Sequence, residues 1–209
     1  MTQTRSGERY RTRNRRRRRV TAVVAAITLI ALVGATIAGA WTLFTGTTSG
    51  QRLTGGPIVV PEELRTVIAK AARRCEAVPV EVLAAQIAAE SHWDARAVSP
   101  AGARGIAQFM PEVWEQYGID ANRDGTADVW DPVDAIHSAA ALNCINRRLV
   151  RDVPGNRLHN TLAAYNAGHG NVIKYEGVPP FPETQAYLER ILRYAETIVL
   201  DERPTGPSA

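Results

Sequence analysis

Apolar positions recur at helical spacing through most of the chain. After Pro61, which suits a first helical turn, Leu64, Val67, Ile68, Ala71, Ala72 and Cys75 fall at i, i+3, i+4, i+7, i+8 and i+11. A second helix begins after Pro79, with Leu83, Ile87 and Glu90 at i, i+4 and i+7. A third opens at Pro132 and places Val133, Ile136, Ala140 and Cys144 on one face. A last one starts near Glu183 and carries Leu188, Ile191, Leu192, Ala195, Ile198 and Val199. Strand alternation is nowhere sustained, so the pattern predicts an all-α domain over 61–200.

One stretch departs from this amphipathic pattern. Residues 20–44, VTAVVAAITLIALVGATIAGAWTLF, carry no charge over 25 positions. A helix of that length is roughly 37 Å long at about 1.5 Å per residue, enough to cross a hydrocarbon core of about 30 Å. Residues 1–19 before it hold nine arginines and one acid, Glu8. The positive-inside bias then puts 1–19 in the cytoplasm as a basic tail and the domain outside the membrane, as a single-pass protein. A cleaved signal peptide, leaving a secreted domain, is the alternative, because Ala38-Gly39-Ala40 fits a cleavage site. Its apolar core is usually only about 7–15 residues. Residues 45–60 begin rich in Thr, Ser and Gly and predict a flexible linker, and 201–209 predict a disordered tail.

Charge changes meaning once the tail is set apart. The 209 residues hold 25 Lys and Arg against 21 Asp and Glu, a net of +4. Without residues 1–19 the balance is 16 basic to 20 acidic, so the body is mildly acidic. A nucleic-acid partner is therefore not expected; the arginines suit topology and anionic headgroups. The two cysteines, Cys75 and Cys144, lie on apolar helix faces of an exported domain and read as one disulfide, with two buried thiols as the alternative. The four histidines have no zinc-ligand spacing with them.

Glu90 is the chemically conspicuous residue. It shares a face with Leu83 and Ile87 near the end of the apolar run VLAAQIAAES. Partial desolvation there disfavours the anion and raises the pKa, which suits a proton donor near neutral pH. A glutamate at a fraying helix end, reaching water, has the same local sequence. Four blocks stand in order: Glu90-Ser91 with Trp93, Ala97 and Ser99; AGARGIAQFMP over 101–111; AYNAGHG over 164–170; and PETQAY over 182–187. This ordered set resembles the lytic transglycosylases of bacterial cell walls, a branch of the lysozyme-like superfamily, over about residues 61–200.

The resemblance implies a lysozyme-like helical domain that acts on peptidoglycan glycan strands. It implies that Glu90 is the catalytic acid, and that Ser99, Gln108, Phe109, Tyr165 and Asn166 line the glycan site. Gln108 offers both a donor and an acceptor, as sugar hydroxyls and N-acetyl groups require. Core packing is the competing role for Phe109. Tyr165 and Asn166 precede a glycine-rich turn, where a core Tyr and a capping Asn are equally consistent with the sequence. The implied reaction needs no second carboxylate and no catalytic cofactor: the muramic acid 6-hydroxyl attacks its own C1 and leaves a 1,6-anhydro end. A goose-lysozyme-like hydrolase using water and a non-catalytic glycan-binding module are the alternatives.

A second constellation spans 120–131. Asp120, Asn122, Asp124, Asp128 and Asp131 occupy positions 1, 3, 5, 9 and 12, with Gly125 at 6 and the Thr126 carbonyl at 7. That is EF-hand spacing and predicts a structural calcium ion, although position 12 is Asp where Glu is usual. An Asx-rich turn capping the helix at Pro132 is the alternative. This loop with QFMP and WDPVDAI resembles membrane-bound type B transglycosylases, whereas AYNAG and PETQAY resemble the soluble type.

Overall fold

A computed structural model of the chain describes residues 56–74 and 76–200. The basic tail, the apolar run 20–44, most of the linker, Cys75 and the tail 201–209 lie outside the described residues. Among the described residues no helix is long and apolar enough to cross a membrane.

The domain is mostly helical: α1 Glu62–Arg73, α2 Val80–Ser91, α3 Pro111–Tyr117, α4 Pro132–Leu149, α5 Arg157–Ala167, α6 His169–Lys174 and α7 Pro182–Thr197. The four helices expected from periodicity are α1, α2, α4 and α7; the short α3 and α6, and α5, carry too few periodic turns to stand out. In α1 the stripe Leu64, Ile68, Ala71 and Ala72 is buried. Glu62 and Glu63 at its start and Lys70 and Arg73 at its end complement the helix dipole.

Helix α2 is buried well beyond the Leu83, Ile87 and Glu90 face read from its sequence. Every residue from Val82 to Ala89 is buried. Leu83, Ala84 and Ile87 join a core with α1, α4 and the 106–109 segment. Val82, Ala85 and Ala89 join a second core built on α5, α6 and α7. A central helix flanked by two cores has to be apolar all round, and its four alanines let neighbouring backbones approach. Glu90 sits one position beyond that buried stretch.

Two expectations at the domain ends are corrected. Ile58–Val59 form β1, which pairs in parallel with β2, Ile198–Val199. Val60 is fully buried, and its N–H donates to the Val199 carbonyl at 3.1 Å. The ordered domain thus begins inside the stretch expected to be linker. Ile198 and Val199 leave the last helix, because two β-branched residues beside an available strand gain a ladder.

After α2 the chain reverses abruptly. His92 and Trp93 both hold positive φ, 52° and 71°. Residues 97–109 then double back on themselves, with Arg104 and Phe109 exchanging N–H···O bonds at 2.9 Å. At Gly105 φ is +74°, and a Cβ would strike the Val129 carbonyl oxygen. Gly105→Ala combines left-handed strain with a backbone collision, so we expect a loss of about 2–4 kcal/mol, read by urea denaturation.

Candidate active site

Glu90 ends α2 between two tyrosines. The Tyr187 hydroxyl, carried by α7, donates to Glu90 Oε1 at 2.7 Å. Oε2 has no hydrogen-bond partner among the described residues. Glu90 is half-buried, Tyr187 fully so. Burial lifts the Glu90 carboxyl from its ordinary 4.5 to about 7; the Tyr187 hydrogen bond and the Arg190 charge pull it down, and Glu183 adds to the rise. Desolvation wins, which is the condition for a carboxylic acid that still holds its proton near neutrality. Burial, with the neighbouring Glu90 charge second, pushes the Tyr165 and Tyr187 phenols well above their usual range. Both therefore act as hydrogen-bonding groups and not as bases.

The segments expected to gather around Glu90 do so. Ser91 Oγ donates to the Ile106 carbonyl at 2.8 Å, and Tyr165 Oη donates to the Ala107 carbonyl at 2.9 Å. These bonds pin the 106–109 turn to the ends of α2 and α5. Gln108, at φ 51°, donates from Nε2 to the Ala97 and Gly105 carbonyls at 3.2 and 2.9 Å. Its Oε1 stays without a partner among the described residues. Asn166 is exposed; its Oδ1 accepts from Thr184 Oγ1 at 2.8 Å, which leaves its Nδ2 outward. Ser99 Oγ accepts from the Ala103 N–H at 3.0 Å and so staples its loop.

Phe109 is the expected site residue that the structure moves elsewhere. It is 2% exposed and packs edge-on against Trp114 and Tyr165, with ring centroids 5.1 and 6.0 Å away. It is a core residue holding Tyr165 in place, not a sugar contact. Tyr165 likewise spends its hydroxyl on the fold. Asp94, the nearest acid in sequence, turns back to accept from the Arg96 N–H at 2.8 Å. The residues missed in the sequence are Tyr187 and Arg190. The first stood inside PETQAY, and only its approach to α2 reveals its partner.

In the 120–131 loop, Asp120 Oδ1 accepts from the Arg123 and Asp124 N–H groups at 2.7 and 3.1 Å, and Oδ2 from Gly125 at 2.9 Å. Asn122 Nδ2 donates to Asp124 Oδ2 at 2.9 Å and to Asp131 Oδ2 at 3.3 Å. Asp131 Oδ1 caps α4 through the Val133 and Asp134 N–H groups, so only Oδ2 turns inward. Asp128 Oδ1 accepts from the Trp130 N–H at 3.0 Å, and Thr126 is exposed. The set is all oxygen, which suits a hard cation. Among the described residues no three His, Cys, Asp or Glu side chains form a metal-holding group. The loop caps α4 through Asp131, and Asp124 Oδ2 and Asp131 Oδ2 both accept from Asn122 Nδ2. A recess of about 570 Å³ lies elsewhere, between α1 and α4, lined among others by Arg74, Glu76, His137 and Cys144; it contains no residue of the Glu90 set.

The model of the transglycosylase SLT domain family matches residues 67–188, more than half of the 209. The chain belongs to this family. Membrane-bound lytic murein transglycosylase F of Maricaulis maris is 42% identical over 94 residues, 44% of this chain and 19% of that protein. Membrane-bound lytic murein transglycosylase B of Escherichia coli is 55% identical over 40 residues, 19% of this chain and 11% of that protein. The SLT chain thus spans about a fifth or less of the length of these relatives. Among solved structures, the 70-kDa soluble lytic transglycosylase in complex with bulgecin A superposes with a TM-score of 0.53 at 24% identity, covering 65% of this chain and 24% of that one. An inactive mutant of lytic transglycosylase Slt from Pseudomonas aeruginosa gives 0.50 at 27% identity, over 65% and 24%. The fold is the mostly helical, lysozyme-like SLT fold.

Proposed function

We propose that this SLT domain is a peptidoglycan lytic transglycosylase that cleaves the β-1,4 bond between N-acetylmuramic acid and N-acetylglucosamine and leaves a 1,6-anhydro end. The observation that carries this reading is Glu90, half-buried, held by Tyr187 through one oxygen only, with a carboxyl pushed up to about 7. Protonated Oε2 gives its proton to the glycosidic oxygen as the bond to muramic C1 breaks. The positive charge left at C1 is met by the muramic 6-oxygen, whose proton returns to the Glu90 carboxylate. A C1–O6 bond replaces C1–O4, Glu90 is protonated again and no water is consumed. An attacking group on the same sugar ring has a large proximity advantage. Tyr187 stabilises the carboxylate between the two proton transfers. Mass spectrometry of muropeptides released by the full chain tests the reading. The anhydro product is one water lighter than a hydrolase product, and intact glycan would sink the enzyme reading altogether.

Three further proposals concern the chain around the site. Residues 20–44 anchor the protein as a single membrane pass; resistance of the full chain to alkaline extraction from membranes checks this. Cys75 and Cys144 are paired. Cys144 shares a surface recess with Arg74 and Glu76, the two neighbours of Cys75, and non-reducing peptide mapping decides the matter. The 120–131 loop takes a structural calcium ion through Asp120, Asn122, Asp124, Asp128, Asp131 and the Thr126 carbonyl. At about a hundredfold excess over Kd the ion adds about 2.7 kcal/mol of stability, so calcium should raise Tm by about 5–11 °C over a chelator control. An unmoved Tm would leave the loop a capping turn only.

A further inference from the structure

A buried hydrogen-bond relay runs from α4 through the middle of the domain to Glu90. Asn143 Nδ2 donates to Gln86 Oε1 at 2.7 Å, and Gln86 Nε2 donates to Tyr187 Oη at 3.1 Å. Tyr187 Oη then donates to Glu90 Oε1 at 2.7 Å. Asn143 and Gln86 are fully buried, and Tyr187 is 2% exposed, so water does not substitute for any link. The links come from three separate helices, α4, α2 and α7, and Gln86 lies one turn before Glu90.

The chemistry of the groups gives the relay a direction. An amide nitrogen only donates and an amide oxygen only accepts. As the amides are placed, Asn143 Nδ2 donates to Gln86 Oε1 and Gln86 presents its N–H to the phenol, while Asn143 Oδ1 is buried without a partner among the described residues. The Tyr187 oxygen is then already an acceptor, and its one proton has to go to Glu90 Oε1. A carboxyl whose Oε1 receives a donor carries its own proton on the other oxygen. We propose that Gln86 and Asn143 are positioning residues that fix this direction and so hold the acidic proton of Glu90 on Oε2, the oxygen that Tyr187 leaves unbonded. This deepens the functional reading above and rests on it. Without the Gln86 donor, protonated Glu90 gains a second choice: its proton moves to Oε1 and is given to the Tyr187 oxygen, out of reach of the glycan. The neutral acid is then stabilised internally, and the donor to the anion also loses its polarising partner. Both effects raise the carboxyl's pKa.

The test uses the full chain with two uncharged variants, Gln86→Met and Asn143→Leu, and their double. The alkaline limb of the pH–rate profile is expected to move up by about 0.5–1 pH unit in Gln86→Met, with maximal rate down about five- to tenfold and KM within twofold of wild type. Asn143→Leu, which frees the Gln86 amide to turn, shifts the limb in the same direction by less. In the double variant it adds nothing to Gln86→Met, because the link through which it acts is gone. The ¹³C titration of the Glu90 carboxyl reads the same midpoint without catalysis. Folded variants whose midpoints match wild type, or shifts that simply add, overturn the proposal. If wild type releases no anhydro product, the functional reading fails instead, and the carboxyl titration still decides the relay.

Discussion

Glu90→Gln is expected to cut glycan cleavage by about 10²–10⁴-fold while leaving helix content and glycan binding intact. The amide has the shape of the acid, and its carbonyl oxygen still accepts from Tyr187. What it lacks is a transferable proton, so the loss falls on kcat and not on KM. Wild-type activity should decline as pH rises through about 7, where the Glu90 carboxyl loses that proton. The substitution also predicts a gain that a merely disruptive change would not give. With a folded pKa near 7 against 4.5 when unfolded, stability is greatest below pH 4.5 and is lost as the pH climbs to about 7. Glutamine has no such dependence. Glu90→Gln should therefore be more stable than wild type at pH 8 and equal to it at pH 4. Since Glu90 keeps solvent access, screening limits the gain to about 1 kcal/mol, or a rise in Tm of about 2–4 °C. An active Glu90→Gln protein, or one less stable at pH 8, contradicts the assignment.

The helices legible in the sequence were those long enough to repeat their pattern. The stripes of α1 and α4 and the proline start of α4 follow from 3.6-residue spacing and the fixed φ of proline. In α2 periodicity marked only the Leu83, Ile87 and Glu90 face, because a helix between two cores has no polar face to set off the rest. It also carried α7 too far, since the pairing of Ile198–Val199 with Ile58–Val59 joins segments about 140 residues apart. In the site, a carboxylate on an apolar face set Glu90 apart, but only the ordered blocks around it favoured a proton donor over a glutamate at a helix end. Phe109 was misplaced because an aromatic beside a polar motif reads alike whether it faces substrate or core. Tyr187 stood inside the PETQAY block without its partner being readable, and its contacts with Gln86 and Glu90, like that of Gln86 with Asn143, exist only where three helices meet.

Asp134→Ala is expected to destabilise the domain more than any substitution above, by about 3–5 kcal/mol. Asp134 is fully buried in the first turn of α4, where its charge also suits the helix dipole. Its Oδ1 accepts from the Ala121 and Asn122 N–H groups at 2.8 and 3.2 Å, and its Oδ2 from Asp128 at 3.0 Å. One carboxylate thereby ties both ends of the 120–131 loop to α4. Removing it strands three backbone donors, and the helix it starts keeps its cap because Asp131 is untouched. Asp134→Asn should cost about half as much, since one amide oxygen can serve one side of the loop but its NH₂ meets the other side's donors head-on. The damage should reach Glu90 by a traceable route. The loop includes Val129, whose carbonyl abuts Gly105, and the 105–109 turn is what Tyr165 and Ser91 clamp beside Glu90. Chemical denaturation should rank Ala below Asn below wild type. The folded fraction of Asp134→Ala should also show a several-fold lower kcat with the pH profile of wild type, because the turn is loosened while the Tyr187–Glu90 bond is kept. A pH profile that moves with the substitution would mean that the loop acts on the Glu90 carboxyl itself.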